Sequence, residues 1–170
     1  MIGRSEVFMK WLLYSGATLA ALLLQGFVLQ HLRLFGVMPF VYPVLAAVLS
    51  MYEGAFNGTV YSLILGVVCD LTLPGSIPCF YTLIFPLVGL CGGLISKSWL
   101  PAGLLCSLMV SAAAFCLTGL FHSLLLALTS GAAWSAAGSV ALREAGATLP
   151  FVPAVFLLFR WVYRKCHLDD

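Results

Sequence analysis

Long apolar runs separated by short polar segments make up most of this chain. The runs predict six membrane-spanning helices, at residues 11–29, 38–52, 55–70, 79–96, 102–128 and 149–163. An α-helix needs about 20 apolar residues to cross the hydrocarbon core of a bilayer. The second predicted helix is short for a span, so local thinning of the bilayer or an interfacial turn would accommodate it. The expected fold is an all-α integral membrane protein, one compact bundle of six transmembrane helices over residues 1–170.

Prolines and glycines mark where the predicted helices begin, bend and end. Pro39 suits the first turn of the second helix, where a missing amide N–H is tolerated. Glu53 and Gly54 predict a turn into the third helix, and residues 71–77 predict the turn that follows it. Pro86 lies inside the fourth helix and predicts a kink there.

The segment before the last predicted span, residues 134–146, is less apolar than the six spans. Its apolar positions fit one side of an amphipathic helix that lies on the membrane surface. These positions are Trp134, Ala137, Val140, Ala141 and Ala145. An ordinary polar loop is the alternative interpretation of this segment.

The composition agrees with a bilayer as the solvent of this chain. Of the 170 residues, 62% are hydrophobic and 8% are charged, and the mean hydropathy is +1.09. A soluble domain of this size does not tolerate that balance. The net charge of +2 is too small to indicate a nucleic-acid-binding protein.

Basic residues are distributed unequally between the two ends of the predicted bundle. With six spans and an internal N-terminus, the cytoplasmic side holds Arg4, Lys10, Lys97, Arg160, Arg164 and Lys165. The outer side holds Arg33 and Arg143. Because cytoplasmic loops carry the excess of Lys and Arg, both termini are expected in the cytoplasm. The first run is expected to be retained as a helix, since no small-residue cleavage site follows it.

The six cysteines form no metal-binding or redox pattern such as CxxC. Most of them lie within apolar runs, where cysteine behaves as a small hydrophobic residue. Cys69 and Cys79 flank one predicted external turn. A disulfide between them is therefore an alternative to two free thiols, although nothing in the sequence requires it.

The third predicted helix carries a stripe of small residues that ends in an acid. Gly54, Gly58, Ser62, Gly66 and Asp70 recur every four positions, so they share one helix face. In lipid, such a stripe lets a second helix approach closely. Two interpretations remain open: the stripe closes a helical hairpin inside this protein, or it binds the helix of a partner.

The fourth predicted helix carries a second small-residue surface, formed by Gly89, Gly92 and Gly93. We expect this surface to face the stripe of the third helix. Asp70 lies at a helix end, where a carboxylate is tolerated if it caps a neighbouring helix or meets an arginine or backbone donors. Glu53, at the opposite end of the same helix, is expected to stay hydrated.

The sequence contains no motif of a familiar catalytic or nucleotide-binding site. HExxH, GxSxG, the P-loop and the dinucleotide fingerprint are all missing. No charged residue lies in the middle of a predicted span, whereas proton-coupled transporters and ion pumps usually need one. No catalytic residue, cofactor or metal site is therefore predicted.

The features between residues 39 and 97 follow an order that is shared with a known family. A proline-led helix is followed by the pattern G-x3-G-x7-G-x3-D, formed by Gly54, Gly58, Gly66 and Asp70. The turn GSIP at residues 75–78 follows, and then a helix with a proline, several glycines and a basic end. The chain closes with a final span and the basic tail FLLFRWVYRKC. This order resembles the MreD family of bacterial rod-shape-determining membrane proteins.

The resemblance covers nearly the whole chain in length and span order, and it is specific over residues 39–97. The chain departs from the family at two points. Tyr52 and Glu53 stand at a turn where family members often have basic residues, and PGSIP replaces the usual glycine-rich turn after the acid.

The resemblance implies a non-enzymatic membrane scaffold of the bacterial cell-elongation machinery, located in the cytoplasmic membrane. Members of the family act with MreC and, through it, with MreB and the RodA–transpeptidase pair to control cell shape and side-wall peptidoglycan synthesis. Residues expected to serve helix packing or partner binding are Gly54, Gly58, Ser62, Gly66, Asp70, Pro78, Pro86, Gly89, Gly92 and Gly93.

The family's six-helix fold is similar to the substrate-binding subunits of energy-coupling-factor transporters. That similarity supplies the alternative function, a substrate-capture subunit of an energy-coupling-factor vitamin transporter. The predicted outer loops argue against it, because they are short and hold few aromatic or charged groups that could bind a polar vitamin. A membrane enzyme is a third class, which the missing motifs weaken.

Overall fold

The computed structural model describes residues 4–31, 36–73, 79–98, 102–130 and 134–167, and this part of the chain is helical without a β-strand. The α-helices are α1 (Arg4–Phe27), α2 (Tyr42–Thr72), α3 (Phe80–Ser98), α4 (Leu104–Ser130), α5 (Trp134–Thr148) and α6 (Val152–His167). Short 3-10 turns lie at Leu29–His31 and Leu149–Phe151. The prediction of an all-α fold is confirmed.

Four helical segments in the described part are long and apolar enough to cross a bilayer. They are Tyr42–Thr72, Phe80–Ser98, Leu104–Leu125 and Gly138–Lys165. Large apolar side chains on the outside of the fold agree with this, since Phe56 is 82% exposed and Leu71 is 81% exposed. Apolar patches of this kind suit contact with lipid. The fold is that of a membrane protein, while the number of six spans stays a prediction.

Helix α2 is a hairpin of two arms that meet at Gly54. The backbone of Gly54 has φ 82° and ψ 175°, a conformation outside the helical region that glycine adopts readily. A Cβ added at Gly58 would lie 2.5 Å from Cα of Ser50, so the chain has reversed direction between these residues. We call residues 42–53 the N-terminal arm and residues 55–72 the C-terminal arm. The reversal lies where Glu53 and Gly54 predict a turn.

The N-terminal arm of α2 forms the centre of the bundle. All residues from 41 to 51 are buried, and the segment is apolar on every side except at Ser50. A helix that is hydrophobic all round is typical of a fully surrounded position. The arm is about 18 Å long at 1.5 Å per residue, shorter than the hydrocarbon core. The non-helical segment 36–41 precedes it.

The predicted start of this arm at residues 38–39 is wrong. The helix begins at Tyr42, and Pro43 occupies its first turn in place of Pro39. The backbone around Pro39 is held instead by side chains from other helices, because Gln25 donates to the Pro39 carbonyl over 2.6 Å. This long-range hydrogen bond gives the Pro39 carbonyl a partner without a helix.

Helices α5 and α6 follow each other with only one 3-10 turn between them. The last helix begins at Val152 instead of residue 149, because Leu149–Phe151 forms that turn around Pro150. Helix α5 packs on α4, where a Cβ added at Gly119 would lie 3.0 Å from Cβ of Ala141. Leu142 is 76% exposed on another side of α5. The segment predicted at 134–146 is therefore a helix rather than a loop.

Candidate functional site

The predicted small-residue positions come together in one interface between the C-terminal arm of α2 and α3, except Gly54, which forms the hairpin turn and not part of the helix face. We call this interface the glycine seam, formed by Gly58, Ser62 and Gly66 on α2 and by Gly89, Gly92 and Gly93 on α3. A Cβ added at Gly66 would lie 2.6 Å from the carbonyl oxygen of Tyr81. One added at Gly89 would lie 2.7 Å from the carbonyl oxygen of Gly58. The two backbones are therefore in direct contact, as small residues allow in membranes.

The same seam also holds the two arms of α2 together. A Cβ added at Gly92 would lie 2.9 Å from Cγ1 of Val110 and would overlap Oγ of Ser50. One added at Gly93 would lie 2.8 Å from the carbonyl carbon of Gly54. Gly92 and Gly93 thus pack α3 into the angle of the hairpin. A Cβ at Gly93 would displace backbone of the hairpin turn, and one at Gly92 would displace the side chains of Ser50 and Val110.

The members of the glycine seam are all buried inside the protein. Ser62 is fully buried, and its hydroxyl has no hydrogen-bond partner among the described residues. The stripe therefore packs against the protein's own α3 and is not an open surface. Pro86 lies within α3 and is partly exposed, whereas the predicted site residue Pro78 lies outside the described residues.

Asp70 caps the start of α3 across the intervening turn. Its Oδ1 accepts a hydrogen bond from the Tyr81 amide at 3.1 Å, and its Oδ2 accepts one from the Thr82 amide at 2.8 Å. The Thr82 hydroxyl donates a further bond of 2.6 Å to Oδ2. The first amides of a helix have no partner within the helix and lie at the positive end of its dipole. A carboxylate at this place satisfies two of them at once.

Glu53 forms the polar contact at the opposite end of the seam, and the expectation that it stays hydrated is wrong. Its side chain is only 3% exposed, and its Oε2 lies 2.6 Å from Nζ of Lys10. The Tyr14 hydroxyl donates to its Oε1 over 2.9 Å. Burial of a carboxylate is tolerated because a cation and a hydroxyl replace the lost water. The charge pair fixes the hairpin turn to the start of α1.

Gln25 and Thr148 hold the non-helical segment 36–41, a role that the sequence interpretation missed. Gln25 accepts from the Val41 amide over 3.1 Å in addition to donating to Pro39. The Thr148 hydroxyl accepts from the Phe40 amide over 2.9 Å. Buried backbone outside a helix needs such partners, because its polar groups have none of their own. The available signal was Gln25 itself, the one strongly polar residue in the first apolar run.

The described residues do not assemble a metal-binding cluster. No group of three or more His, Cys, Asp or Glu in the described ranges is placed to hold a metal ion. Cys69 and Cys79 are both free thiols, one buried and one exposed. The structure therefore has two free thiols at these positions and not a disulfide.

The fold and the seam define a helical membrane protein whose predicted site residues mainly join helices to one another. Asp70 and Glu53 mark the two ends of the seam, and each carboxylate is fully occupied by partners of the same chain. The chain matches no family model, no curated protein and no solved structure.

Proposed function

We propose that this protein is a non-enzymatic membrane scaffold of the MreD type, which acts with MreC in the bacterial cell-elongation machinery. Through MreC it would act with MreB and the RodA–transpeptidase pair to control cell shape and side-wall peptidoglycan synthesis. The six-span bundle and its similarity to the substrate-binding subunits of energy-coupling-factor transporters belong to this proposal. So do a location in the bacterial cytoplasmic membrane and two cytoplasmic termini.

One observation supports the proposal most strongly: the residues of the pattern G-x3-G-x7-G-x3-D form a single structural unit. Gly54 makes the hairpin turn, Gly58 and Gly66 admit neighbouring backbone, and Asp70 caps α3. These four residues are part of the resemblance to MreD, and each occupies a place where its own chemistry is needed. A packed helical core of this kind suits a scaffold.

The distribution of charge supports the proposed orientation. The Lys10–Glu53 pair joins the start of α1 to the hairpin turn, and the rings of Tyr52 and Tyr163 stack at 5.0 Å. The Ser96 hydroxyl donates to the Met51 carbonyl over 3.0 Å, which brings the end of α3 to the same place. Five basic residues therefore lie at one end of the bundle: Lys10, Lys97, Arg160, Arg164 and Lys165. Such a bias favours a cytoplasmic position for that end.

Two grooves beside α1 offer little to a polar vitamin. A groove of about 450 Å³ between α1 and the C-terminal arm of α2 is lined mainly by apolar side chains, with Thr18 and Tyr61 bonded to each other at 2.5 Å. A second groove of about 320 Å³ between α1 and α6 is lined by apolar residues alone. Vitamin sites need several polar groups that fix the ligand's orientation. The scaffold is therefore preferred to the capture subunit.

The proposal is tested by depleting the protein in its rod-shaped host. Rounded, swollen cells with disordered side-wall synthesis are expected, and re-expression of the unchanged chain should restore rods. An Asp70→Asn chain provides a mild control, because the amide oxygen still accepts hydrogen bonds. Cells that keep their shape but require an added nutrient would refute the scaffold and favour vitamin capture.

A further inference from the structure

The last turns of α6 carry a groove with both apolar and cationic walls, which we call the α6 basic groove. Its volume is about 510 Å³, and it is lined by Leu157, Arg160, Trp161, Arg164 and Lys165. These positions repeat at intervals of three and four residues, so they lie on one helix face. All five side chains are exposed. The groove therefore presents three cations beside two large apolar side chains.

Aromatic rings of α6 lie close to two of the cations. Nζ of Lys165 lies 5.0 Å from the centre of the Trp161 ring, and the guanidinium carbon of Arg160 lies 5.8 Å from the centre of the Phe156 ring. Cations at such distances are attracted by the negative face of the ring. The charged groups are thereby held beside the groove instead of extending freely away from it.

The three charges are not neutralised by the rest of the described protein. The salt bridge of the described residues joins Lys10 to Glu53, and no described carboxylate pairs with Arg160, Arg164 or Lys165. Arg160 instead lies within electrostatic range of the Tyr52 hydroxyl, which is buried and has no hydrogen-bond partner among the described residues. Among the described residues the groove thus carries three positive charges that an external anion can satisfy.

The residue types of the groove suit the boundary between hydrocarbon and headgroups. The groove lies within the apolar segment Gly138–Lys165, which is long enough to span a bilayer. Leu157 is 58% exposed and Trp161 is 57% exposed, so both apolar side chains are accessible to lipid. Tryptophan, arginine and lysine are the residues that anchor helices at this depth.

We propose that the α6 basic groove is a binding site for one anionic phospholipid. The phosphodiester would lie among Arg160, Arg164 and Lys165, and an acyl chain would run along Leu157 and Trp161. Charge complementarity selects an anionic lipid, because a zwitterionic headgroup brings its own cation into a site that already holds three. This site is independent of the scaffold function and of the glycine seam.

Fluorescence quenching of Trp161 tests the site in the full chain. Trp11, Trp99 and Trp134 are replaced by Phe, and the protein is placed in nanodiscs that contain brominated phosphatidylglycerol or brominated phosphatidylcholine. Phosphatidylglycerol should quench Trp161 at a lower mole fraction than phosphatidylcholine. The expected preference is roughly fivefold for each cation that contacts the headgroup. Inorganic phosphate in the buffer should leave this preference for phosphatidylglycerol unchanged.

Two matched variants complete the test. In each variant, quenching by phosphatidylglycerol is measured relative to quenching by phosphatidylcholine. R164Q/K165Q, which leaves Arg160 and its aromatic contact intact, should lower the preference at least roughly fivefold. K97Q removes a lysine at the same end of the bundle but outside the groove, and it should keep the preference. The proposal would be overturned if both lipids quench Trp161 equally, or if free phosphate displaces the lipid. It would also be overturned if the preference for phosphatidylglycerol survives in R164Q/K165Q or vanishes in K97Q.

Discussion

A methyl group added at Gly66 tests the closest approach between α2 and α3. In Gly66→Ala the new Cβ would lie 2.6 Å from the Tyr81 carbonyl oxygen and 2.9 Å from Cα of Thr82. Both atoms belong to the backbone of α3, so the helices must separate. Overpacking costs about 1–3 kcal/mol, and backbone contact favours the upper end of that range. Alanine returns up to about 1 kcal/mol through its better helix propensity. We expect a net loss of about 2 kcal/mol in the free energy of unfolding.

Reversible unfolding in mixed detergent micelles, followed by circular dichroism, measures this loss. Gly16→Ala is the matched control, because Gly16 lies within α1 and a Cβ there would have nothing within 4 Å. The control should be neutral or slightly stabilised. Gly66→Ala and Gly16→Ala should therefore differ by about 2–3 kcal/mol. Equal stability of the two variants would refute the direct backbone contact at the glycine seam.

The polar contacts give three further predictions, all measured by the same unfolding assay. Asp70→Leu should cost about 2 kcal/mol and Asp70→Asn clearly less, because the amide oxygen can still cap α3; equal losses would contradict the cap. Glu53→Gln should cost about 2–3 kcal/mol, because it leaves Lys10 without its charged partner. Adding Lys10→Met should recover part of that loss. A double variant that is no more stable than Glu53→Gln alone would contradict the buried pair. Thr148→Val should cost about 1–3 kcal/mol, because it leaves the Phe40 amide without a hydrogen-bond partner. Thr118→Val should cost less, because it loses only a bond within its own helix. Similar losses in the two variants would count against the role of Thr148.

The part of the fold that could be predicted from the sequence depends on contacts between near neighbours in the chain. The hairpin follows from one glycine, and the stripe follows from a four-residue spacing. Asp70 bonds to residues only 11 and 12 positions away, across a single turn. A carboxylate before a Gly- and Pro-rich turn is thus a readable sign of a cap.

The features that the sequence analysis missed depend on partners that are distant in the chain. Tyr14 reaches Glu53 over 39 positions, so the burial of this carboxylate has no local signature. The Phe40 amide finds Thr148 over 108 positions, which allows the chain to delay the helix predicted at Pro39. Pattern and propensity describe what a segment prefers alone. Tertiary contacts overrule these preferences where an outside partner satisfies the backbone.

Identifying the partners of the full chain in its own membrane tests the central claim most directly. The tagged protein is crosslinked in living cells and purified, and the attached proteins are identified by mass spectrometry. The Asp70→Leu variant, which is expected to be less stable, is crosslinked at the same expression level as the unchanged protein. This comparison separates crosslinking lost through unfolding from crosslinking lost through weaker binding. The scaffold account predicts that MreC is crosslinked to the unchanged protein. Attachment to an energising ATPase subunit in place of MreC would contradict the account and support vitamin capture.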